Sequence, residues 1–320
     1  MKFKNSAVLL SVMFVITMLG ITLAMSSNTE LGPSYLASLI VHPELLVISV
    51  IIVLGQTLTD GIVGYTSLAA TDRQHIPKRA IIAITLLSNT AGISMPGPAK
   101  TPARVYLQNK LVNIPYNVSI LGLTIETIFA YAVLLPTTIL TTLIWLPKHI
   151  ETDWSKISVH WWLIALACIL TIILIVLILV KKMNIKTKIH ALGTFFRSNS
   201  AYPTVWKNIL YTLVFTIVIY ALGVLRLASV SEALGGDLSF GLYTSIFMLS
   251  RIAGIASMMP MGLGARDASL VGLFVFVDIP LDLSIAIAAI ERLLLIAPHF
   301  LTGPIAIKYL KNYKPSKKVT

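Results

Sequence analysis

The sequence predicts an all-α integral membrane protein, a polytopic helical bundle built as an inverted repeat with two re-entrant helical hairpins. Three observations lead to this fold class. The 320 residues are 56% hydrophobic and 12% charged, which is about half the charged fraction of an ordinary soluble domain. The apolar residues form a series of runs, most of them long enough to cross roughly 30 Å of hydrocarbon. Two Gly/Pro-rich turns interrupt the series at corresponding places. A water-soluble enzyme is therefore excluded.

The long apolar runs predict six full spans. The first run follows Lys2 and Lys4 and is longer than the core of a secretory signal, which has about 7 to 15 residues. We therefore interpret it as a spanning helix. The predicted full spans are residues 7–25, 44–70, 118–146, 160–180, 205–229 and 281–307.

Two further apolar runs, 80–95 and 241–259, are each followed by a short segment that a Gly/Pro turn separates from the run. The short segments are 98–112 and 264–277. Residues 98–112 carry three basic side chains, which makes this segment too polar for a lipid-facing span. We therefore expect both pairs to be re-entrant hairpins, although eight to ten full spans would satisfy the same charge distribution.

The loop charges predict the orientation of the bundle. Seventeen Lys and Arg residues fall in segments on one side of the predicted spans, together with one acid, Asp72. The opposite side has two lysines, Lys148 and Lys156, and eight acids. Because short cytoplasmic loops carry the excess of Lys and Arg, we expect a multi-pass protein of the plasma (cytoplasmic) membrane with both termini in the cytoplasm.

The two hairpin turns resemble each other. Ala91–Gly92–Ile93 precedes Pro96 and Gly97, and Ala253–Gly254–Ile255 precedes Pro260 and Gly262. An Ile–Glu pair ends 30 residues after the first proline, at Glu126, and 31 residues after the second, at Glu291. These matches predict one membrane domain, 1–320, made of two inverted halves, 1–146 and 147–320. The alternative is that Gly and Pro are simply common in membrane helices.

A helix that breaks inside hydrocarbon must have its free backbone groups satisfied by protein, water or ligand. The returning half-helices would direct their positive N-terminal ends toward the membrane interior, beside Lys100, Arg104 and Arg266, which suits an anion such as phosphate. The predicted substrate-binding residues are Pro96, Gly97, Lys100, Arg104, Glu126, Arg251, Gly262, Gly264, Arg266, Asp267, Glu291 and Arg292.

Internal salt bridges are the alternative explanation for the charges in the predicted membrane segments. In that case Glu126 and Glu291 brace the hairpin arginines, and no ligand is involved. Asp60, Lys100 and Arg226 are expected near an interface, with their charged ends reaching toward water.

At these residues the chain resembles the flippase-like transmembrane region of the lysylphosphatidylglycerol synthases and its stand-alone relatives. Residues Pro260 to Asp267 look like the family's Pro-Gly-Gly-Leu-Gly-Val-Arg-Glu motif. Met95–Pro96–Gly97, followed by Lys100, Thr101 and Arg104, looks like an earlier motif, but Thr101 replaces the family's acid. The resemblance implies lipid translocation between leaflets and two re-entrant hairpins. We expect the chain to lack the soluble aminoacyl-transferring domain of fuller members, because the sequence stops at Thr320.

Together these features predict a flippase or scramblase for an anionic phospholipid or a polyprenyl-phosphate-type lipid. Two alternatives remain open: a transporter of a small organic anion, and the membrane subunit of a lipid-modifying system with a separate transferase or synthase partner. Oligomerisation is left open as well.

Enzymatic and nucleic-acid-binding functions have no support in the sequence. The six histidines are scattered without metal-ligand spacing, and Cys168 is the single cysteine. We therefore expect no catalytic site, no metal and no cofactor. The basic residues lie in short loops between apolar runs, so no nucleic-acid partner is expected.

Overall fold

The described part of the protein is helical throughout. In the computed structural model this part comprises residues 40–71, 76–94, 100–149, 203–257, 262 and 264–313, and no strand occurs within it. Its helices, in chain order, are α1 (Pro43–Ala69), α2 (Lys78–Ser94), α3 (Lys100–Val112), α4 (Tyr116–His149), α5 (Pro203–Ala233), α6 (Phe240–Ala256), α7 (Ala265–Phe276) and α8 (Leu281–Asn312).

Three of the described helices are long and apolar enough to cross a membrane. The stretches that qualify are Pro43–Ala69, Tyr116–Trp145 and Val205–Ala233. Helix α8 has 32 residues, enough for about 48 Å at 1.5 Å per residue, but it carries Glu291 and Arg292 in the middle of its apolar sequence. The predicted helical integral membrane protein is confirmed. The predicted spans 7–25 and 160–180 lie outside the described residues.

Helices α1 and α5 form the central pair and pack along each other more extensively than any other two described helices. Around this pair, α2 packs against α8 and α4 packs against α6. The short helix α3 contacts α2 and α4, and the short helix α7 contacts α6 and α8. Exchanging α1–α4 for α5–α8 reproduces the same set of contacts, so the described helices of the two halves pack alike.

Each short helix returns close to the helix that precedes it, at the glycine of the repeated Ala-Gly-Ile motif. A Cβ placed on Gly92 of α2 would lie 3.2 Å from the Cβ of Lys100 in the first turn of α3. A Cβ placed on Gly254 of α6 would lie 3.1 Å from the Cβ of Arg266 in the first turn of α7. A side chain at either glycine would push the two arms apart, so both hairpins use glycine for the same close approach.

Two apolar clusters stabilise the bundle. One lies between α1, α2 and the C-terminal end of α8, and includes Leu68, Ile84 and Leu310. The other lies between α5, α6, α7 and the N-terminal part of α8, and includes Phe247 and Phe274. Glu291 and Arg292 lie on α8 between the parts of this helix that enter the two clusters. The polar site is therefore built between two apolar cores.

Candidate substrate site

Glu291 is the centre of a polar network that joins four helices. The guanidinium of Arg226, which is fully buried, donates from Nε and Nη2 to the two carboxylate oxygens at 2.9 and 2.6 Å. Arg266 Nη2 donates to Oε1 of the same carboxylate at 3.1 Å. Arg226 Nη1 donates to Oε1 of Gln56. One glutamate thus holds α5 and α7 to α8, and Arg226 extends the network to α1.

The burial of Arg226 corrects one expectation from the sequence. The prediction that Arg226 reaches an interface is wrong, because no part of the residue is exposed. Burying an unpaired charge costs several kcal/mol. The hydrogen bonds of the Arg226 guanidinium to Glu291 and Gln56 offset this cost. Its partners on α1 and α8 are 170 and 65 positions away in the chain.

Arg104 and Glu126 form the corresponding ion pair in the first half. Arg104 Nη1 donates to Oε2 of Glu126 at 2.8 Å, which links α3 to α4. Gly64 on α1 makes room for this guanidinium, because a Cβ there would lie 2.5 Å from Arg104 Nη2. The glutamates therefore brace the hairpin arginines, as the salt-bridge alternative expected. Arg104 is buried behind Glu126 and does not belong to the described wall of the cavity.

Asp267 caps the helix on which it lies. Its Oδ2 accepts a hydrogen bond from the backbone N–H of Gly264 at 3.3 Å, and the same oxygen lies 3.2 Å from Arg292 Nη2. The sequence predicted that the free N–H groups at the start of α7 would face a ligand. In the structure, the Gly264 N–H donates to the Asp267 carboxylate instead. The arginine side chains are therefore the stronger candidates for anion binding.

Asp60 lies at the centre of a smaller polar cluster in the first half. Asn89 of α2 donates to Asp60 Oδ2, and Lys100 Nζ of α3 lies 3.7 Å from the same oxygen. Both charged residues line a cavity in the bundle. Lys100 therefore lies where the site prediction expected it, and Asp60 joins it there.

The cavity has a volume of about 600 Å³ and lies between α1, α3, α4, α5, α6, α7 and α8. Its charged and glycine lining residues are Asp60, Lys100, Glu126, Arg251, Gly254, Gly262, and Arg266. Three of these residues are basic and two are acidic. The lining thus brings together side chains from both halves and has a surplus of positive charge.

Among the described residues, Arg251 is the lining cation that has no acidic partner. Its guanidinium carbon lies 5.5 Å from the centre of the Tyr220 ring, a distance at which cation and aromatic face attract each other. Within the described ranges, no carboxylate lies within 4.0 Å of Arg251. This aromatic contact does not pair the guanidinium with an acid, so its N–H groups can donate to a ligand.

Five of the predicted site residues lie on the cavity wall: Lys100, Glu126, Arg251, Gly262 and Arg266. Glu291, Arg292, Asp267 and Arg104 support them from behind through ion pairs, and Gly264 begins the turn into α7. Pro96 and Gly97 lie outside the described residues.

Sequence reasoning missed three residues that complete the site. Asp60 was expected at an interface, and Gln56 and Tyr220 were not singled out. Gln56 is a long polar side chain inside an apolar run, and such a residue indicates a partner on another helix. The aromatic contact of Tyr220 had no comparable signal, because aromatic residues are frequent in membrane helices.

The chain is similar in sequence to known membrane proteins. A family model described as the lysylphosphatidylglycerol synthase TM region matches residues 7–303. Two matches to UPF0104 membrane proteins of Methanothermobacter thermautotrophicus strain Delta H cover shorter parts. One is 39% identical over 70 residues, which are 22% of this chain and 21% of the relative. The other is 28% identical over 104 residues, which are 32% of this chain and 31% of the relative.

These alignments span about a fifth and a third of the length of the relatives. No solved structure matches the chain. The family match, in contrast, covers all but the first six and the last 17 residues, including both hairpins and every residue of the site. The chain therefore belongs to the lysylphosphatidylglycerol synthase TM region family.

Proposed function

We propose that the protein moves an anionic phospholipid or a polyprenyl-phosphate-type lipid between the membrane leaflets, as a flippase or scramblase. The observation that carries this proposal is a cavity inside a membrane bundle whose wall presents Arg251 and Arg266. The protein acts in the cytoplasmic membrane with both termini inside, and it translocates lipid without a covalent reaction. Membership of the family supports a lipid-related role in the membrane.

The charge of the site favours an anionic substrate. A charge at the bilayer centre costs about 2.5 to 3.5 kcal/mol on insertion scales, so charges in spanning segments face partners or a water-filled path. Six basic and four acidic side chains lie in the polar network and the cavity lining: Asp60, Lys100, Arg104, Glu126, Arg226, Arg251, Arg266, Asp267, Glu291 and Arg292. A negatively charged headgroup would compensate the surplus.

The position of the cavity favours a lipid over a small soluble anion. Tyr131 of α4 and Ile255 of α6 belong to the lining and are 41% and 44% exposed. Tyr131 lies 15 residues after the start of α4, about 22 Å along a helix of about 51 Å. An opening at mid-depth would admit a headgroup while its acyl chains stay in the bilayer.

Leaflet exchange in reconstituted vesicles tests the proposal. We expect Arg251→Gln and Arg266→Gln to slow exchange of a fluorescent anionic lipid, because each variant removes a charged donor from the headgroup site. Loss of one charged hydrogen bond, about 1.5 to 3 kcal/mol, corresponds to roughly a tenfold to hundredfold slower rate if it acts in the rate-limiting step.

Arg79→Gln is the matched control, because Arg79 is an exposed arginine at the start of α2, away from the cavity. Arg251→Gln is the more informative variant, since it leaves no carboxylate without a partner. The proposal fails if folded Arg251→Gln protein exchanges anionic lipid at the parental rate, or if the parental protein moves no lipid of any headgroup class.

A further inference from the structure

Among the described residues, the two halves of the protein differ in the charge of the polar network and the cavity lining. In the first half, Lys100 and Arg104 are matched by Asp60 and Glu126, each cation lying within 3.7 Å of its acid. In the second half, four arginines share two acids: Arg226, Arg251, Arg266 and Arg292 face Asp267 and Glu291. The surplus of two positive charges therefore belongs to the second half alone.

Two side chains, Arg251 and Arg266, place this surplus positive charge on the cavity wall. Glu291 is engaged through both oxygens by Arg226, so Arg266 has only the remaining 3.1 Å contact with Oε1. The side chain of Arg266 is 7% exposed, it lines the cavity, and its buried Nε has no hydrogen-bond partner among the described residues. Arg251 lines the same cavity, and among the described residues its guanidinium contacts the Tyr220 ring.

We propose that Arg251 and Arg266 form a subsite for a terminal phosphate with two negative charges, so that the transported lipid is a phosphate monoester. The inference rests on the proposed function and names its substrate class. A phosphate monoester carries about −1.5 to −2 charge at pH 7 and has three acceptor oxygens. It would neutralise both surplus charges and accept from the guanidinium groups of Arg251 and Arg266.

A phosphodiester headgroup satisfies this subsite less well. Its phosphate carries a single charge, so one of the two surplus arginine charges would stay buried without compensation, which is costly in a site of low dielectric constant. Among its described residues, the first half offers no second subsite, because Lys100 and Arg104 are already paired with Asp60 and Glu126. One cavity thus binds one doubly charged phosphate, held from the side of the second half.

The test compares two lipids with identical short acyl chains: phosphatidic acid, a monoester, and phosphatidylmethanol, its methyl diester. Binding to the full-length protein in detergent is measured by native mass spectrometry at pH 7.5 and at pH 5. We expect the monoester to bind at least about tenfold more tightly at pH 7.5, the ratio that corresponds to one additional charged hydrogen bond. The preference should shrink at pH 5, because the second phosphate proton has a pKa of about 6.

The diester controls for titration of the protein, because Asp60, Lys100 and Glu126 line the same cavity and would act on both lipids. Arg251→Gln should remove most of the preference, and Arg79→Gln should leave it unchanged. Inorganic phosphate is added as a competitor. Failure to displace the lipid at equimolar concentration supports a lipid phosphate, whereas equal competition assigns the subsite to free phosphate and overturns the lipid assignment.

Equal affinity for the two lipids overturns the inference, and so does a preference that survives in Arg251→Gln. These outcomes are distinct from failure of the proposed function. A protein that exchanges both lipids between leaflets without binding preference would retain the transport function and lose the monoester subsite. A protein that prefers the monoester but exchanges neither lipid would lose the transport function and retain the subsite.

Discussion

Glu291 is the residue on which the largest buried cluster depends. Its carboxylate accepts from Arg226 and Arg266, and these two cations come from different helices, α5 and α7. Buried ion pairs add little net stability when complete, but removing one partner leaves the other charge buried and uncompensated. We infer that the cluster positions the arginines around the cavity more than it stabilises the bundle.

Replacing Glu291 tests how strongly the two buried arginines depend on this carboxylate. Glu291→Gln keeps the shape of the side chain but removes the charge that two buried arginines share, so we expect the protein to lose about 3 to 5 kcal/mol of unfolding free energy. Thermal unfolding in detergent, followed by circular dichroism, measures the loss. Glu232→Gln, which changes an exposed glutamate near the end of α5, should unfold like the parent. An unchanged unfolding midpoint in Glu291→Gln would contradict the role given to this carboxylate.

The burial of single charged residues was predictable only in part, because Arg226 was expected at an interface and is fully buried. Their pairing was likewise predictable only in part. Glu126 and Glu291 lie at matched spacing after the hairpin turns, so their pairing with hairpin arginines was one of the two explanations that the sequence left open. The pairing of Arg226 with Gln56 was not foreseen. Apolar context shows that a charge is inside the membrane, but the rotation of each helix decides which partner it meets.

The hairpins show how glycine fixes the geometry of an element. Gly262 has a φ of +69°, a left-handed conformation that residues with a Cβ rarely adopt. A Cβ at this position would lie 2.7 Å from the Cα of Gly254 on the opposite arm. The closeness of the two backbones brings the first turn of α7, and with it Arg266, against α6.

Gly262→Ala should therefore destabilise the second hairpin. The positive φ and the contact with backbone atoms leave the new methyl group no space, and we expect a loss of about 1 to 3 kcal/mol. Unfolding in detergent measures it. Gly272→Ala is the matched control, because Gly272 lies within α7 and a Cβ placed on it would have nothing within 4 Å, and helix propensity favours alanine there by about 0.8 to 1 kcal/mol. Equal stability of the two variants would refute the proposed close approach.

Helix boundaries were predictable to within a few residues because they follow the lengths of apolar runs. The predicted segment 205–229 corresponds to the helix Pro203–Ala233, and the predicted segment 264–277 corresponds to the helix Ala265–Phe276. The cap of α7 was not predictable from hydropathy. Asp267 could bind Arg292, the backbone or a ligand, and only the packing of α7 on α8 places its carboxylate at both Gly264 and Arg292.

For the whole molecule, the contact pattern combines an approximate symmetry with an asymmetric charge. Helices α1–α4 and α5–α8 exchange into one another's contacts, while the surplus positive charge lies in the second half. The cavity is lined by residues of both halves, and its asymmetric charge is the basis of the proposed anion subsite. The inverted repeat stays a prediction, since it requires opposite directions of the halves across the membrane.

Cysteine labelling tests both the orientation and the inversion. In a Cys168→Ala background, Ser239→Cys precedes α6, and Asn117→Cys lies at the start of α4; both positions are exposed in the bundle. The charge distribution predicts Ser239 outside and Asn117 in the cytoplasm. In intact cells, a membrane-impermeant maleimide should therefore label Ser239→Cys, and it should label Asn117→Cys only after permeabilisation. Labelling of both positions from the same side would remove the inverted arrangement, because the two hairpins would then open toward one face of the membrane.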